Sequence, residues 1–262
     1  MSAFTAALRC ELLKARRSPL PALAAAGFSL APVMAAVFML ILKDPALARR
    51  LGLITAKAQL VAGTADWPTF LGVIAQAIAV GGSFVFSLVT AWTFGREFSD
   101  RTVKLIVATP TPRRDIVAAK LAVVALLCIG MTMWVLLLGI GLGALLGLPG
   151  GSAAVMKAGA VTALSAGALT VALVPVIALI AGIGRGYMAP LGFAILMVFL
   201  AQVLTATGWG ARFPWAVPPL HAGMAGAPAE MLDRMSYIVL VATGAAGLAA
   251  TLWWWQTADQ TT

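Results

Sequence analysis

Residues 92–121 read WTFGREFSDRTVKLIVATPTPRRDIVAAKL. Arg96, Glu97, Asp100, Arg101, Lys104, Arg113, Arg114, Asp115 and Lys120 all fall here, in a chain that is otherwise nearly bare of charge. Uninterrupted apolar sequence lies on both sides, at about 69–94 and 121–147. Two oily runs of that length, split by one compact charged connection, set the solvent and the fold class.

Composition agrees. The chain of 262 residues is 61% hydrophobic and only 10% charged, with mean hydropathy +0.99. A soluble domain carries about a quarter charged residues to cover its surface. A chain with this little charge takes a bilayer as its solvent. Its net charge of +9 and pI of about 10.4 then belong to loops that face anionic lipid and a protein partner. No aromatic-plus-basic module suited to stacking bases is present, so nucleic acid is not an expected partner. Cys10 lies in a basic segment and Cys128 in an apolar run. The two belong at different depths, and free thiols are expected.

Apolar runs occur at about 20–42, 69–94, 121–147, 158–183, 188–207 and 235–256, and none contains Asp, Glu, Lys, Arg or His. Each reaches the roughly 20 residues a helix needs to span hydrocarbon. The runs are continuous, not alternating, which excludes an outer-membrane barrel. The first is too long for a signal-peptide core, so an uncleaved anchor is expected. Placing both termini inside puts eleven of the eighteen Lys and Arg residues on the cytoplasmic side. The exception is the 43–68 loop, with Lys43, Arg49, Arg50 and Lys57 outside. There Leu47, Leu51, Ile54, Ala58 and Val61 recur at helical spacing, as in a helix lying on the outer surface. Trp67, Trp92, Trp209, Trp215 and Trp253–Trp255 sit near run ends and are expected as headgroup anchors.

At the N-terminus, Phe4, Leu8, Leu12 and Ala15 form an apolar stripe with Arg9, Lys14 and Arg17 off it, ended by Pro19 and Pro21. This suits either a surface-lying helix or a plain basic anchor. In the charged connection, Ser99 is placed to cap a short helix from Asp100 to about Ala108. Glu97–Arg101 and Asp100–Lys104 are i,i+4 pairs on it, and Pro110 and Pro112 end it before the third span. Pro175 predicts a kink in the fourth span. Gly139, Gly143 and Gly147 provide a face for close helix approach, within one subunit or between two. Residues 208–234 are apolar, Pro-rich and too broken to span, as in a re-entrant segment. His221 within them has no Cys or His neighbours in sequence and is expected to be structural.

The run Gly95-Arg96-Glu97-Phe98-Ser99-Asp100-Arg101-Thr102, followed by Pro110, Arg113-Arg114 and Lys120, resembles the loop between the second and third spans of ABC-2-type exporter permeases. Glu11-Leu12-Leu13-Lys14-Ala15-Arg16-Arg17-Ser18 is similar to the elbow helix of that family. The resemblance implies an all-α, polytopic membrane protein forming one permease domain over 1–262. It has six transmembrane helices, an N-terminal amphipathic elbow helix (1–19), a cytoplasmic coupling loop (95–119) and a re-entrant outer segment (208–234). It implies a multi-pass protein of the cell inner membrane with both termini cytoplasmic. The chain itself is not an enzyme and holds no cofactor, and ATP and Mg belong to two partner ABC ATPase subunits. A second copy, or a related permease, completes the path. The ATPase-coupling residues would be Arg96, Glu97, Phe98, Asp100, Arg101, Thr102 and Lys104, with Arg185 in the turn Gly184-Arg185-Gly186-Tyr187.

The rival readings lack support. An ion-coupled secondary transporter, which would act without an ATPase, usually carries ionisable groups inside its spans, and here the apolar runs have none. An intramembrane enzyme needs a nucleophile and base, or paired carboxylates, at membrane depth. No feature favours a channel. No GxxxxGK[ST] loop occurs, so ATP hydrolysis is expected in another chain.

Overall fold

The computed structural model describes residues 2–44, 64–103, 108–224 and 231–258. Among them there is no strand. The helices are α1 (Ala3–Arg17), α2 (Leu20–Phe28), α3 (Leu30–Lys43), α4 (Trp67–Ser99), α5 (Arg113–Leu145), α6 (Ala153–Ala172), α7 (Val174–Ile183), α8 (Met188–Ala206), α9 (Val217–His221) and α10 (Arg234–Thr257). A 3-10 turn covers Gly210–Arg212. Six helical stretches are long and apolar enough to cross a bilayer: Leu20–Lys43, Trp67–Ser99, Arg113–Leu145, Ala153–Ile183, Met188–Ala206 and Arg234–Thr257. The 45–63 part of the expected surface helix lies outside the described residues.

Helix α4 is the axis, packed against α3, α5, α6, α7 and α8. Phe70, Ile74, Ile78, Phe86, Val89 and Phe94 are buried along it. Its polar residues cost little in a dry interior, because each hydroxyl bonds to the preceding turn. Ser83, Ser87, Thr90 and Thr93 donate to the carbonyls of Ala79, Ser83, Phe86 and Val89 at 2.6–2.8 Å. By contrast α8 turns Ile195, Leu196 and Phe199 outward, as an apolar solvent permits.

Two spans are broken. The fourth divides at Leu173, where Pro175 opens α7 and its missing N–H leaves a carbonyl of the preceding turn without its helical donor. This is the predicted kink. The first span also divides, at Ser29, which the sequence reading did not anticipate. Pro32 in the first turn of α3 has the same defect, and Ser29 Oγ bonds to Ala25 O and accepts from Trp134 Nε1, both at 2.8 Å.

The small residues pack inside the subunit. A side chain at Gly139 would meet Ile74, and one at Gly143 would meet Trp67 and Phe70. Gly147 is not on that face: its φ of +60° closes the end of α5. The tryptophans depart from the anchoring expectation. Trp67, Trp215 and Trp255 are core residues, whereas Trp209 and Trp253 are exposed. Their rings lie against aromatic neighbours, Trp67 on Phe70 and Trp215 on Phe193 and Phe213, so packing outcompetes the headgroup layer. Both cysteines are free, Cys10 exposed and Cys128 buried.

At one end of the bundle, the 3-10 turn and α9 form a broken, largely buried segment around Trp215, Ala216, Val217 and Leu220. Residues 225–230 of it lie outside the described chain. His221 ties it down: Nε2 lies 2.7 Å from Ser165 Oγ on α6 and Nδ1 2.8 Å from Tyr237 OH on α10. This is the structural role expected of it, with partners that only folding reveals.

Helix α10 and the broken fourth span approach each other closely at two glycines. A Cβ on Gly244 would stand 2.1 Å from Ala172 O, and one on Gly247 2.8 Å from Val176 N. Backbone atoms cannot yield as side-chain tips do. Gly244→Ala is therefore expected to lower stability by about 1–3 kcal/mol, read as a reduced thermal unfolding temperature in detergent. Gly141→Ala, where nothing lies within 4 Å, should leave that temperature unchanged.

Candidate functional site: a buried ion cluster beneath the charged connection

The opposite end of the bundle gathers α1, the end of α4, the start of α5, the 184–187 turn and the end of α10. Its centre is Lys120, whose side chain is wholly buried. Its three ammonium protons have three acceptors: Glu97 Oε1 at 2.6 Å, Thr93 O at 3.0 Å and Glu11 Oε2 at 3.2 Å. Lys14 joins from α1, bonding to Glu11 Oε1 and, at 2.8 Å, to Glu97 Oε1. Two carboxylates and two ammonium groups thus neutralise one another, Lys120 and both carboxylates enclosed and Lys14 at the rim. The second oxygen of Glu97 is buried with no hydrogen-bond partner among the described residues. Burying a charge is tolerable only when it is paired and hydrogen-bonded, and this cluster is nearly complete in that sense.

The cluster shows which way α1 faces. Glu11 and Ala15 are its buried residues, whereas Phe4, Leu12 and Leu13 are exposed. The helix turns its acid-bearing side to the bundle and leaves much of its apolar surface outward. A soluble amphipathic helix would do the reverse.

The local readings of the connection need correction. Helix α4 does not stop before Ser99; it continues to it, and Asp100 is its C-cap. The expected Ser99-capped helix therefore does not begin at Asp100: residues 100–101 form a turn, Arg101 having a positive φ of 55°. Residue 103 is helical, and 104–107, including Lys104, lie outside the described residues. Glu97 does not pair with Arg101, because buried Lys120 and half-buried Lys14 offer it two cations where an exposed arginine offers one screened by water. Asp100 lies 3.9 Å from Arg96. The third span begins at Arg113 behind Pro112, as expected. Between helix ends the connection is thus 100–112.

The remaining candidate residues collect around this end. Arg96 stands 5.2 Å over the Trp92 ring. Half-buried Phe98 makes an edge contact with Trp255 at 5.8 Å, and Phe94 another at 6.2 Å. Arg113 Nη1 donates to Trp255 O at 3.3 Å. These contacts fasten α10 to both roots of the connection. Arg185, with φ 46°, sits in the turn that abuts α4, where a Cβ on Gly95 would meet Gly186 C and O at 2.8 Å. Asp100 and Arg101 are exposed, Thr102 is partly so, and Glu97 faces inward. Glu11, Lys14 and Lys120 were missed as a unit. Their only sequence signal is a Lys and a Glu just outside apolar runs, on helices whose ends extend past those runs.

Among the described residues no group of three or more His, Cys, Asp or Glu is placed to hold a metal. The chain matches the ABC-2 family transporter protein family over residues 7–201. It belongs to that family. It is a permease subunit of ABC transporters and a multi-pass membrane protein, and the family associates with ABC ATPase subunits. It is also similar to the bacitracin transport permease protein of Bacillus licheniformis. The two are 28% identical over 178 residues, 67% of this chain and 84% of the relative.

Removing one member of the cluster leaves a buried charge without its partner. Lys120→Met is expected to cost about 3–5 kcal/mol, and the double variant Glu97→Gln/Lys120→Met less than the sum of the two single changes, measured as a double-mutant cycle of unfolding in detergent. Lys14 adds a pH signature. Burial pulls its pKa down, but the Glu97 and Glu11 charges outweigh that and hold it above the ordinary 10.5. A raised folded pKa means its contribution is fully present below 10.5 and is lost as pH rises through the higher value. Lys14→Met should flatten that alkaline fall in stability.

Proposed function

We propose that this permease is driven through the connection between α4 and α5, seated against a cytoplasmic ATPase. The observation carrying this reading is the Glu11–Lys14–Glu97–Lys120 cluster. It welds the two roots of the connection to each other and to α1, so a push on the tip moves α1, α4 and α5 as one body. A coupling element must be stiff to transmit a displacement. Exposed Asp100, Arg101 and Thr102, with Lys104 and the Arg185 turn, are the contact set. Arg96 and Phe98 brace it from the rim. Glu97 acts by positioning, since its carboxylate is turned away from any partner.

In this reading the charged end and both termini are cytoplasmic, in the cell inner membrane. Two ATPase subunits supply ATP and Mg chemistry, and a second copy or a related permease completes the path. Helix α1 is the elbow helix, its exposed Phe4, Leu12 and Leu13 resting in the membrane surface. The broken segment around α9 is the re-entrant outer element. Export of a lipophilic or amphipathic substrate fits a path walled by apolar spans, and the Bacillus licheniformis relative is named for bacitracin transport.

Co-purification tests this. An ABC ATPase should be recovered with the detergent-solubilised chain, and Arg101→Glu should weaken recovery at least about tenfold, as reversal of a contact charge does. Glu11→Gln, which loosens α1 while leaving the contact set intact, should keep the ATPase bound but lower transport per ATP hydrolysed. Transport by the chain alone in liposomes would overturn the reading.

A further inference from the structure

A cavity of about 560 Å3 opens at the charged end between α1, the last turns of α4 and the start of α8. Neither the family match nor the ion cluster assigns it a role. We propose that it is a binding site for a phosphodiester anion, supplied by the headgroup of an anionic phospholipid such as phosphatidylglycerol.

Charge is the first argument. Lys14, Arg17 and Arg96 line the cavity, with Asp100 as its acid. Behind the wall, Glu11 and Glu97 are engaged by Lys14 and Lys120. Asp100 stands 3.9 Å from Arg96. Arg17 is exposed and makes no ion pair among the described residues. Of the charged groups lining the cavity, Lys14 is held by Glu11 and Glu97 and Arg96 stands beside Asp100, which leaves Arg17 as the cation that an incoming phosphodiester would balance.

Geometry is the second argument. Tyr187 lines the cavity and is the N-cap of the 19-residue α8, with no side-chain cap bond. The amino end of a helix favours an anion through its dipole and free N–H groups. Arginine supplies planar, multidentate contacts to phosphate oxygens.

A lipid is favoured over free phosphate by what else lines the site. Trp92 and Leu13 contribute apolar wall. Leu13 is continuous with exposed Leu12 on α1, and the cavity lies level with the ends of the spans, where headgroups sit. The volume is within the usual range for a small-molecule site, roughly 300–1,000 Å3, which is ample for a glycerophosphate group.

The inference is independent of coupling to an ATPase and is tested on the chain alone. The full-length protein is purified from nanodiscs containing equal phosphatidylglycerol and phosphatidylcholine, and retained lipid is counted by native mass spectrometry. Preferential retention of phosphatidylglycerol is expected. Arg17→Gln should reduce it by about fivefold, the weight of one basic side chain at an anionic surface, and Arg17→Gln/Arg96→Gln further. Lys157→Gln, an exposed site at the other end of the bundle, should retain lipid as the parent does. Arg17 is exposed, so its replacement should leave the unfolding temperature of the lipid-free protein unchanged and keep the comparison interpretable. Equal retention of the two lipids, or retention unaffected by Arg17→Gln, would overturn the proposal. So would inorganic phosphate raising the unfolding temperature as much as the lipid does, since the ligand would then be a soluble anion.

Discussion

A fully buried lysine sets the arrangement of this end of the molecule. An ammonium group without water must find an oxygen for each of its protons, and Lys120 finds them on α4 and α1: Thr93 O, Glu97 Oε1 and Glu11 Oε2. No single neighbour could provide all three. The requirement therefore dictates that α1 fold back across the roots of the connection, and that Lys14 come with it to balance the second carboxylate. Hydrophobic burial cannot supply this specificity, because lipid is as apolar as the protein interior and does not favour one helix partner over another. In so oily a chain, a few well-placed charges do what a patterned core does in water.

The architecture was legible in the sequence to the degree that the bilayer dictates it. A span must be apolar and about 20 residues long, and all six were visible as uninterrupted runs. Their ends were less visible. Helix α4 passes Phe94 and carries Glu97 inward, whereas α5 begins well ahead of the run at 121, at Arg113, where only Pro112 marked its start. A charge marks where hydrocarbon-like composition stops, not where a helix stops. Pro175 signalled the break in the fourth span, and Pro32 could have signalled the one at Ser29, but it lies in a run uniform enough to pass for one helix.

The ion cluster was illegible for a different reason. Glu97 and Lys14 are 83 positions apart, and Lys120 and Glu11 109. Sequence reasoning pairs charges by helical spacing, and so assigned Glu97 to Arg101. That pairing assumes both groups share water. Once Glu97 is enclosed, a distant buried cation outweighs a near exposed one. The tryptophans misled in the same way: position near a run end implied an interface, but Trp67 and Trp255 are held by Phe70, Phe94 and Phe98.

The seam between α10 and the fourth span carries a further consequence. At Gly244 the helix meets the Ala172 backbone, at Gly247 it meets Val176 backbone and side chain, and Thr251 Oγ1 bonds to both Pro175 O and Gly247 O. Such a contact resists both separation and sliding. Its lower end is pinned by Trp255 beneath the ion cluster. A displacement entering there would carry α7 and α10 together, without opening a gap to lipid.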